Sequence, residues 1–201
     1  QLELDEPLNL DPRLGVPSTA VEPTDGDDIL AGSANSDIIA GLLGNDEING
    51  GDGDDILRGD LNNRSTGGTV GGNDTISGGL GNDQIGGKAG NDQLFGDEGD
   101  DFIWGDDGDD LMSGGLGNDT LTGDDFSGGE GTDTFVLAVG EGTDTIVDFE
   151  VGIDVIALAN LTFTDLSLTS ENGNTLIAFG DETLAILEGV EVLSESAFSI
   201  V

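Results

Sequence analysis

The chain has 201 residues and carries 43 Asp and Glu residues against 4 Lys and Arg residues, for a formal net charge of -39. So large a negative charge opposes compaction unless counter-ions neutralise it, and it excludes nucleic acid as a partner because no basic surface can meet phosphate. The sequence contains neither histidine nor cysteine, which excludes Ser-His and Cys-His nucleophiles and the usual zinc sites. Oxygen is the only plentiful ligand type, and flexible oxygen sites suit Ca²⁺.

The first 22 residues predict an extended lead-in, because they hold three of the four prolines and few periodic apolar residues. They lack the basic-then-apolar pattern of a signal peptide. No apolar run in the chain approaches the length of a membrane helix, so membrane insertion is not expected. The chain does not begin with Met, so one expectation is a cut or processed fragment, and export by a cleaved N-terminal signal stays open.

An aspartate then returns every nine residues. Residues 50–58 read GGDGDDILR and residues 78–86 read GGLGNDQIG, which gives the template G-G-x-G-x-D-x-U-x, where U is a large apolar residue. The copies and inserts are 23–58 (four repeats), 59–68 (insert), 69–122 (six repeats), 123–127 (insert) and 128–136 (one repeat). The apolar slot holds Leu30, Ile39, Ile48, Leu57, Ile76, Ile85, Leu94, Ile103, Met112, Leu121 and Phe135.

The odd period of the repeat predicts the fold. Each copy supplies a six-residue turn and a three-residue strand, so successive strands fall on alternate sides of a flattened coil and one full coil takes two copies. Because side chains alternate along a strand, U points inward and its two neighbours point outward. The pattern therefore predicts an all-β solenoid, a parallel β-roll or β-helix, in which two thin sheets face each other through the U side chains.

The turns of this coil predict cation binding. Their glycines suit positive φ and let main-chain carbonyls converge, and the aspartate adds a carboxylate at the end of each turn. One buried aliphatic side chain per repeat does not offset the entropy of ordering nine residues. We therefore expect the array to be largely unfolded without calcium and to fold when it binds calcium.

The nonapeptide resembles that of RTX proteins, the haemolysin-type calcium-binding repeat family. The resemblance covers residues 23–136, and residues 143–158 (TDTIVDFEVGIDVIAL) are similar to the segment that follows RTX arrays in secreted proteins. It implies that each ion lies between the turns of repeats i and i+2, held by aspartate carboxylates of both turns and by glycine carbonyls. It pairs Asp28 with Asp46 and Asp37 with Asp55.

The resemblance also implies which residues are ligands in the longer array. One edge would carry Asp74, Asp92 and Asp110, and the other would carry Asp83, Asp101 and Asp119. The complete set of implied carboxylate ligands is Asp28, Asp37, Asp46, Asp55, Asp74, Asp83, Asp92, Asp101, Asp110, Asp119 and Asp133. The implied carbonyl ligands are Gly26, Gly44, Gly53, Gly72, Gly81, Gly90, Gly99, Gly108 and Gly117, together with the residues two positions before them.

The inserts leave the register open. Thr69 and Val70 replace the opening glycines of the turn that ends at Asp74. The insert at 59–68 either bulges out and leaves its flanking repeats adjacent, which we favour, or is a decayed repeat with Arg64 near the aspartate slot. The insert at 123–127 is expected to end the regular roll, which leaves a site at Asp133 open.

Residues 137–201 predict a C-terminal β-strand cap. Short runs rich in Val, Ile, Thr and Leu are separated by Asn172-Gly173 and Gly180-Asp181, which are typical of hairpin turns. Such a cap would cover the open end of the coil, where unpaired backbone is exposed. Its acidic residues Asp144, Asp148 and Asp154 suit a further ion or ordinary turns equally well. The final residues loosely resemble an uncleaved type I secretion signal, and packing as a last strand explains them equally well.

The predicted function is that of a calcium-binding secreted module, extracellular or at the cell surface, exported by type I machinery and folded by several Ca²⁺ ions. No catalytic residue set is recognisable, so we do not expect an enzyme. The alternatives are the C-terminal calcium-binding domain of a larger exported enzyme and a structural or adhesive surface protein. An ice-binding face is disfavoured, because the residues before U form no regular ladder of Thr or Asn. The sequence predicts no particular protein partner.

Overall fold

The computed structural model describes residues 22–60, 71–124, 131–191 and 193–200, and these form two facing sheets. Sheet A has eight strands in the order β1 (Ile29–Ala31), β3 (Glu47–Asp52), β5 (Thr75–Leu80), β7 (Gln93–Glu98), β9 (Leu111–Leu116), β11 (Thr134–Leu137), β13 (Val155–Leu158) and β17 (Phe198–Ile200). Sheet B has nine strands in the order β14 (Leu166–Glu171), β15 (Asn174–Phe179), β16 (Glu182–Leu187), β12 (Asp144–Ile146), β10 (Thr120–Thr122), β8 (Phe102–Asp107), β6 (Gln84–Ala89), β4 (Ile56–Asp60) and β2 (Ile38–Leu42). Two single-turn 3₁₀ helices, Phe163–Asp165 and Glu195–Ala197, complete the described elements.

Successive repeats alternate between the sheets, as the odd period predicts. Ile29 of β1 pairs with Glu47 of β3, and Ile38 of β2 pairs with Ile56 of β4, in both cases in parallel. Each pair is 18 residues apart, which equals two nonapeptides. The all-β parallel solenoid is therefore confirmed.

The apolar slot of the repeat forms the core between the sheets. Its side chains are buried in every repeat except that of Ile39, which is only partly buried and packs against the core near the N-terminal end. The buried members are Leu30, Ile48, Leu57, Ile76, Ile85, Leu94, Ile103, Met112, Leu121 and Phe135. The apolar slot of each repeat thus supplies one side chain to the core.

The strands on both sides of the first insert keep the alternation. Glu47 pairs with Thr75, and Ile56 pairs with Gln84. Both pairs are 28 residues apart, which is two nonapeptides plus ten residues, and this is the pairing that a bulged insert requires. Residues 61–70, with Arg64, lie outside the described residues, so the structure does not place that arginine.

The inserts lie inside turns rather than between repeats. We number the turn G-G-x-G-x-D as positions 1–6. In the turn that ends at Asp74, position 1 is occupied by Gly59, which lies against that aspartate as the opening glycines of the other turns do, and not by Thr69. Gly123 opens the turn that ends at Asp133 in the same way. Both inserts therefore follow position 2 of their turns, which a register counted along the sequence does not reveal.

Both sheets continue beyond the last repeat. β12 pairs with β10, and β13 pairs with β11, in parallel. β14, β15 and β16 then form antiparallel hairpins whose turns carry Asn172 and Gly173 at positive φ, and Gly180 at positive φ. The two predicted hairpin turns are confirmed. In the described residues no helix is long and apolar enough to cross a membrane.

Position 2 has an unusual backbone conformation in several of the turns. Leu42 holds it with a φ of +89°, where a β-carbon costs about 1–2 kcal/mol. Leu42→Gly should therefore unfold in calcium with a free energy about 1–2 kcal/mol higher than Leu42→Ala. Both variants lose the leucine side chain, so their difference in urea unfolding reports the β-carbon alone. An alanine variant as stable as the glycine variant would contradict this conformation.

Candidate metal centres

The repeat aspartates form two continuous ladders, one along each edge of the roll. In each ladder, one carboxylate oxygen (Oδ1) accepts the main-chain N–H of the aspartate in the preceding stacked turn. Asp110 accepts from Asp92 at 2.8 Å, and Asp101 accepts from Asp83 at 2.7 Å. Edge A carries Asp28, Asp46, Asp74, Asp92, Asp110, Asp133 and Asp154. Edge B carries Asp37, Asp55, Asp83, Asp101, Asp119 and Asp144.

This ladder places the sequence-predicted pairs side by side. Asp46 accepts the N–H of Asp28 at 2.9 Å, and Asp55 accepts that of Asp37 at 2.7 Å. Asp74, Asp92 and Asp110 follow one another on edge A, and their counterparts follow one another on edge B. The stacking orients each carboxylate, so that one oxygen is fixed and the other is left for a different partner.

The second oxygen of these carboxylates is buried and has no hydrogen-bond partner. This holds for Oδ2 of nine repeat aspartates, each of which exposes at most 3% of its surface. They are Asp46, Asp55, Asp74, Asp83, Asp92, Asp101, Asp110, Asp119 and Asp133. A buried carboxylate oxygen without a partner is costly, because burial removes its hydration without replacement. A bound cation would supply the missing partner.

A main-chain carbonyl converges on seven of these nine oxygens. Oδ2 of Asp92 and the carbonyl oxygen of Gly105 both lie closer than 3.0 Å to the point where a β-carbon of Gly87 would stand. Oδ2 of Asp55 and the carbonyl of Gly78 meet at the corresponding point of Gly50. Position 1 must therefore be glycine, and the carbonyl that faces the carboxylate belongs to position 1 of the next stacked turn.

The predicted carbonyls at position 4 form a separate stack. The carbonyl oxygen of Gly72 faces the α-carbon of Gly90, and that of Gly90 faces Gly108. The role of these carbonyls as ligands stays a prediction. The structure brings the position 1 carbonyls, which the sequence reasoning did not select, to the free carboxylate oxygens. The glycines at positions 1 and 4 both recur every nine residues in the sequence. Spacing alone therefore does not show which of the two carbonyls points toward the carboxylate; the three-dimensional path of the main chain does.

Burial raises the pKa values of the buried aspartates in the two ladders. It raises the pKa of Asp74, Asp92 and Asp101 to about 7, and that of Asp110 and Asp133 to about 8. Neighbouring carboxylates contribute to this rise in pKa, and main-chain N–H donors oppose it. Carboxylates that hold protons near neutral pH are poised to exchange them for a cation.

The potential ligand atoms in these turns suit calcium rather than a softer metal. All of them are carboxylate or carbonyl oxygens, which hard cations prefer. Within the parts of the chain that the structure describes, no three carboxylates gather closely enough to hold an ion by themselves. Each candidate site would therefore combine carboxylates with main-chain carbonyls, a mixture that Ca²⁺ accepts readily.

The RTX calcium-binding nonapeptide repeat family matches four stretches of the chain, residues 23–57, 31–65, 70–94 and 86–121. The chain is an RTX repeat protein. Its array therefore consists of calcium-binding repeats, and the ladder of unpartnered Asp oxygens runs through the same residues.

Two solved structures are similar to this RTX chain. The extracellular lipase LipA from Serratia marcescens matches with 20% identity and a TM-score of 0.44 over 90% of this chain and 41% of the lipase. The AlgE6R3 subunit from the Azotobacter vinelandii mannuronan C5-epimerase matches with 25% identity and a TM-score of 0.35 over 92% of this chain and 84% of that subunit. The chain thus spans about two fifths of the lipase. No curated protein matches it in sequence.

The N-terminal turns of the RTX array differ from the rest. Oδ2 of Asp28 accepts the hydroxyl of Thr24 at 2.9 Å, and Oδ2 of Asp37 accepts the hydroxyl of Ser33 at 2.8 Å. Thr24 and Ser33 occupy position 2 of their turns, where the repeat template has glycine. Hydroxyl groups of their own turns thus already satisfy the carboxylates of Asp28 and Asp37, whose role as ligands stays a prediction.

The acidic residues of the C-terminal segment also have partners in the polypeptide. Asp148 accepts the N–H groups of Gly123 and Asp124 at 2.8 and 3.0 Å. Asp154 accepts those of Asp133 and Glu150 at 3.0 and 2.7 Å. These hydrogen bonds close the last turn of edge A, so Asp148 and Asp154 act as turn residues in this structure. Asp144 ends edge B, where its Oδ1 accepts the N–H of Asp119 at 3.3 Å.

Proposed function

We propose that this RTX chain is a secreted module that folds when its stacked turns take up several Ca²⁺ ions. The supporting observation is the row of buried Oδ2 atoms without partners, one in each inner turn. A chain with a net charge of -39 buries these carboxylates side by side, and without cations that arrangement is strongly self-repelling.

The ligands would come from stacked turns of the same edge. The aspartates at position 6 would supply carboxylate oxygens, and the glycines at positions 1 and 4 would supply carbonyl oxygens. A bound Ca²⁺ would neutralise two carboxylates and join two turns. Since each inner turn faces a neighbour on either side, ordering one turn prepares the next, and we expect binding to be cooperative.

Export is the second part of this proposal. RTX repeat proteins are typically secreted, and calcium-dependent folding suits that route. A chain that stays unfolded where calcium is scarce remains able to pass a type I exporter, and calcium outside the cell would then fold it. In this view the protein acts outside the cell or at its surface, and the C-terminal residues serve as the export signal.

A calcium titration of the full chain tests the folding proposal. Far-UV circular dichroism should show a steep transition from coil to β-structure, with magnesium at equal concentration giving little change. Asp110→Asn should weaken the calcium response, whereas the adjacent Asp109→Asn removes the same charge from an exposed side chain and should leave it unchanged. A chain with full β-structure in a chelator near neutral pH, or an equal response to magnesium, would contradict the proposal.

A further inference from the structure

The two turns that contain inserts share a feature outside the repeat pattern. Both have aspartate at position 2, namely Asp60 after Gly59 and Asp124 after Gly123. In both, one carboxylate oxygen is buried and without a partner. Leu42, Lys88, Asp97 and Asp106 hold position 2 of other turns with positive φ, and they are at least partly exposed. A position 2 aspartate with a buried carboxylate oxygen that lacks a hydrogen-bond partner is therefore shared by the two insert turns.

Asp60 shows the arrangement most completely. Only 4% of its surface is exposed. Its Oδ1 accepts the N–H of Gly72 at 3.3 Å, and its Oδ2 has no hydrogen-bond partner. Oδ2 and the carbonyl oxygen of Ala89 both lie closer than 3.0 Å to the point where a β-carbon of Gly71 would stand. A carboxylate and a carbonyl thus face the same space, as they do in the regular turns.

The hydrogen bonding of this turn also departs from that of its neighbours. In five other turns, the N–H of the position 4 glycine donates to the carbonyl of position 3 in the next stacked turn. Gly90 donates to Asp107 at 2.9 Å, and Gly81 donates to Glu98 at 2.8 Å. At the insert, the N–H of Gly72 donates to Asp60 instead. The carbonyl of Ala89, which holds that position 3, is thereby directed at Asp60 Oδ2, and two acceptor oxygens without a shared proton repel each other.

The surroundings of Asp60 are negative. Burial, assisted by the charge of Asp46, raises the pKa of Asp60 to about 6, although the N–H groups of Gly72 and Ala89 oppose the rise. The Asp60 charge in turn raises the pKa of Asp74 and Asp92. The nearby ammonium group of Lys88 is bound to Asp106, with 2.6 Å between Nζ and Oδ2.

We propose that Asp60 and the carbonyl of Ala89 form a calcium site of their own at the start of the insert, in addition to the sites of the nonapeptide aspartates. The inference rests on the proposed function, because the same cation would occupy both kinds of site. It assigns the insert turn a role in binding that no repeat position supplies. Asp124 shares the position and the unpartnered oxygen, but its side chain is partly exposed, so Asp60 is the proposed ligand.

The test is a count of calcium ions per chain. Equilibrium dialysis of the full chain, with calcium measured by atomic emission, would compare the wild type with Asp60→Asn and Asp97→Asn. Asp97 occupies the same turn position with an exposed side chain, so it controls for the change of charge. We expect Asp60→Asn to bind one ion fewer than the wild type and Asp97→Asn to bind the wild-type number. Circular dichroism in calcium confirms that each variant is folded.

The alternative is that Asp60 carries a proton and donates it to the carbonyl of Ala89. Asparagine mimics that neutral acid, so an unchanged ion count in Asp60→Asn would overturn the inference while the proposed function stands. A wild type that binds no calcium would overturn both. If Asp60→Asn fails to fold, Asp60→Glu, which keeps the carboxylate, is measured instead. A wild-type number of bound calcium ions in Asp60→Glu supports the site, and a lower number overturns it.

Discussion

In a chelator, the chain should be unfolded at about pH 8 and should gain β-structure as the pH falls toward about 4. Burial raises the pKa of Asp110 and Asp133 to about 8 and that of Asp92 to about 7, whereas an aspartate in an unfolded chain titrates near 3.9. Between these values the folded array holds more protons than the unfolded chain does. Stability therefore falls as the pH rises through the folded-state pKa values and is fully present only below the unfolded value.

Calcium should reverse this dependence. The ligand carboxylates must lose their protons before they bind an ion, so calcium affinity should rise between about pH 6 and about pH 8. Protons and calcium ions would thus stabilise the same fold by neutralising the same buried oxygens. Circular dichroism across this pH range, once in chelator and once in excess calcium, measures both trends in one experiment.

A matched pair of variants separates this effect from the general loss of charge in acid. Asp110→Asn needs no proton to become neutral, so it should gain β-structure in chelator near neutral pH, although it binds calcium more weakly. Asp109→Asn removes the same charge from an exposed neighbour and should do neither. If both variants behave alike, or if the calcium-free chain is more folded at about pH 8 than at about pH 4, the buried carboxylates do not control folding.

The fold was predictable from the sequence because one local rule is repeated. A nine-residue period with one apolar slot determines the alternation of strands, the burial of residues such as Ile85 and Ile103, and the parallel pairing of repeats two apart. The stacking of Asp92 beside Asp110 follows from the same rule. Each of these features depends only on spacing along the chain, so the structure reproduces it.

The remaining features depend on contacts between turns. Counting back from Asp74 places Thr69 at position 1, but the stacked turns require a glycine there, and Gly59 meets that requirement by placing the extra residues within the turn. The hydroxyls that satisfy Asp28 and Asp37 belong to Thr24 and Ser33, where the repeat has glycine. Such residues are recognisable only once the direction of each carboxylate is known.

The glycine at position 4 should be the most sensitive residue of the array. Gly90 has a φ of +134°, and a β-carbon there would lie closer than 3.0 Å to the carbonyl oxygen of Gly72. The backbone conformation alone costs about 1–2 kcal/mol for alanine. Overpacking against a main-chain atom that is fixed by its neighbours adds about 1–3 kcal/mol. Gly90→Ala should thus lower the free energy of unfolding in calcium by about 2–5 kcal/mol.

Gly140 provides the matched control for this prediction. It also has positive φ, at +86°, but a β-carbon on it would meet no atom within 4 Å. Gly140→Ala should therefore lose only the conformational part, about 1–2 kcal/mol, in urea unfolding at saturating calcium. The difference between the two variants measures how tightly successive turns stack, because only Gly90 faces another turn. Since the same stacking brings carboxylates and carbonyls together, Gly90→Ala should also weaken calcium binding, and equal losses in the two variants would show that the turns are not in contact.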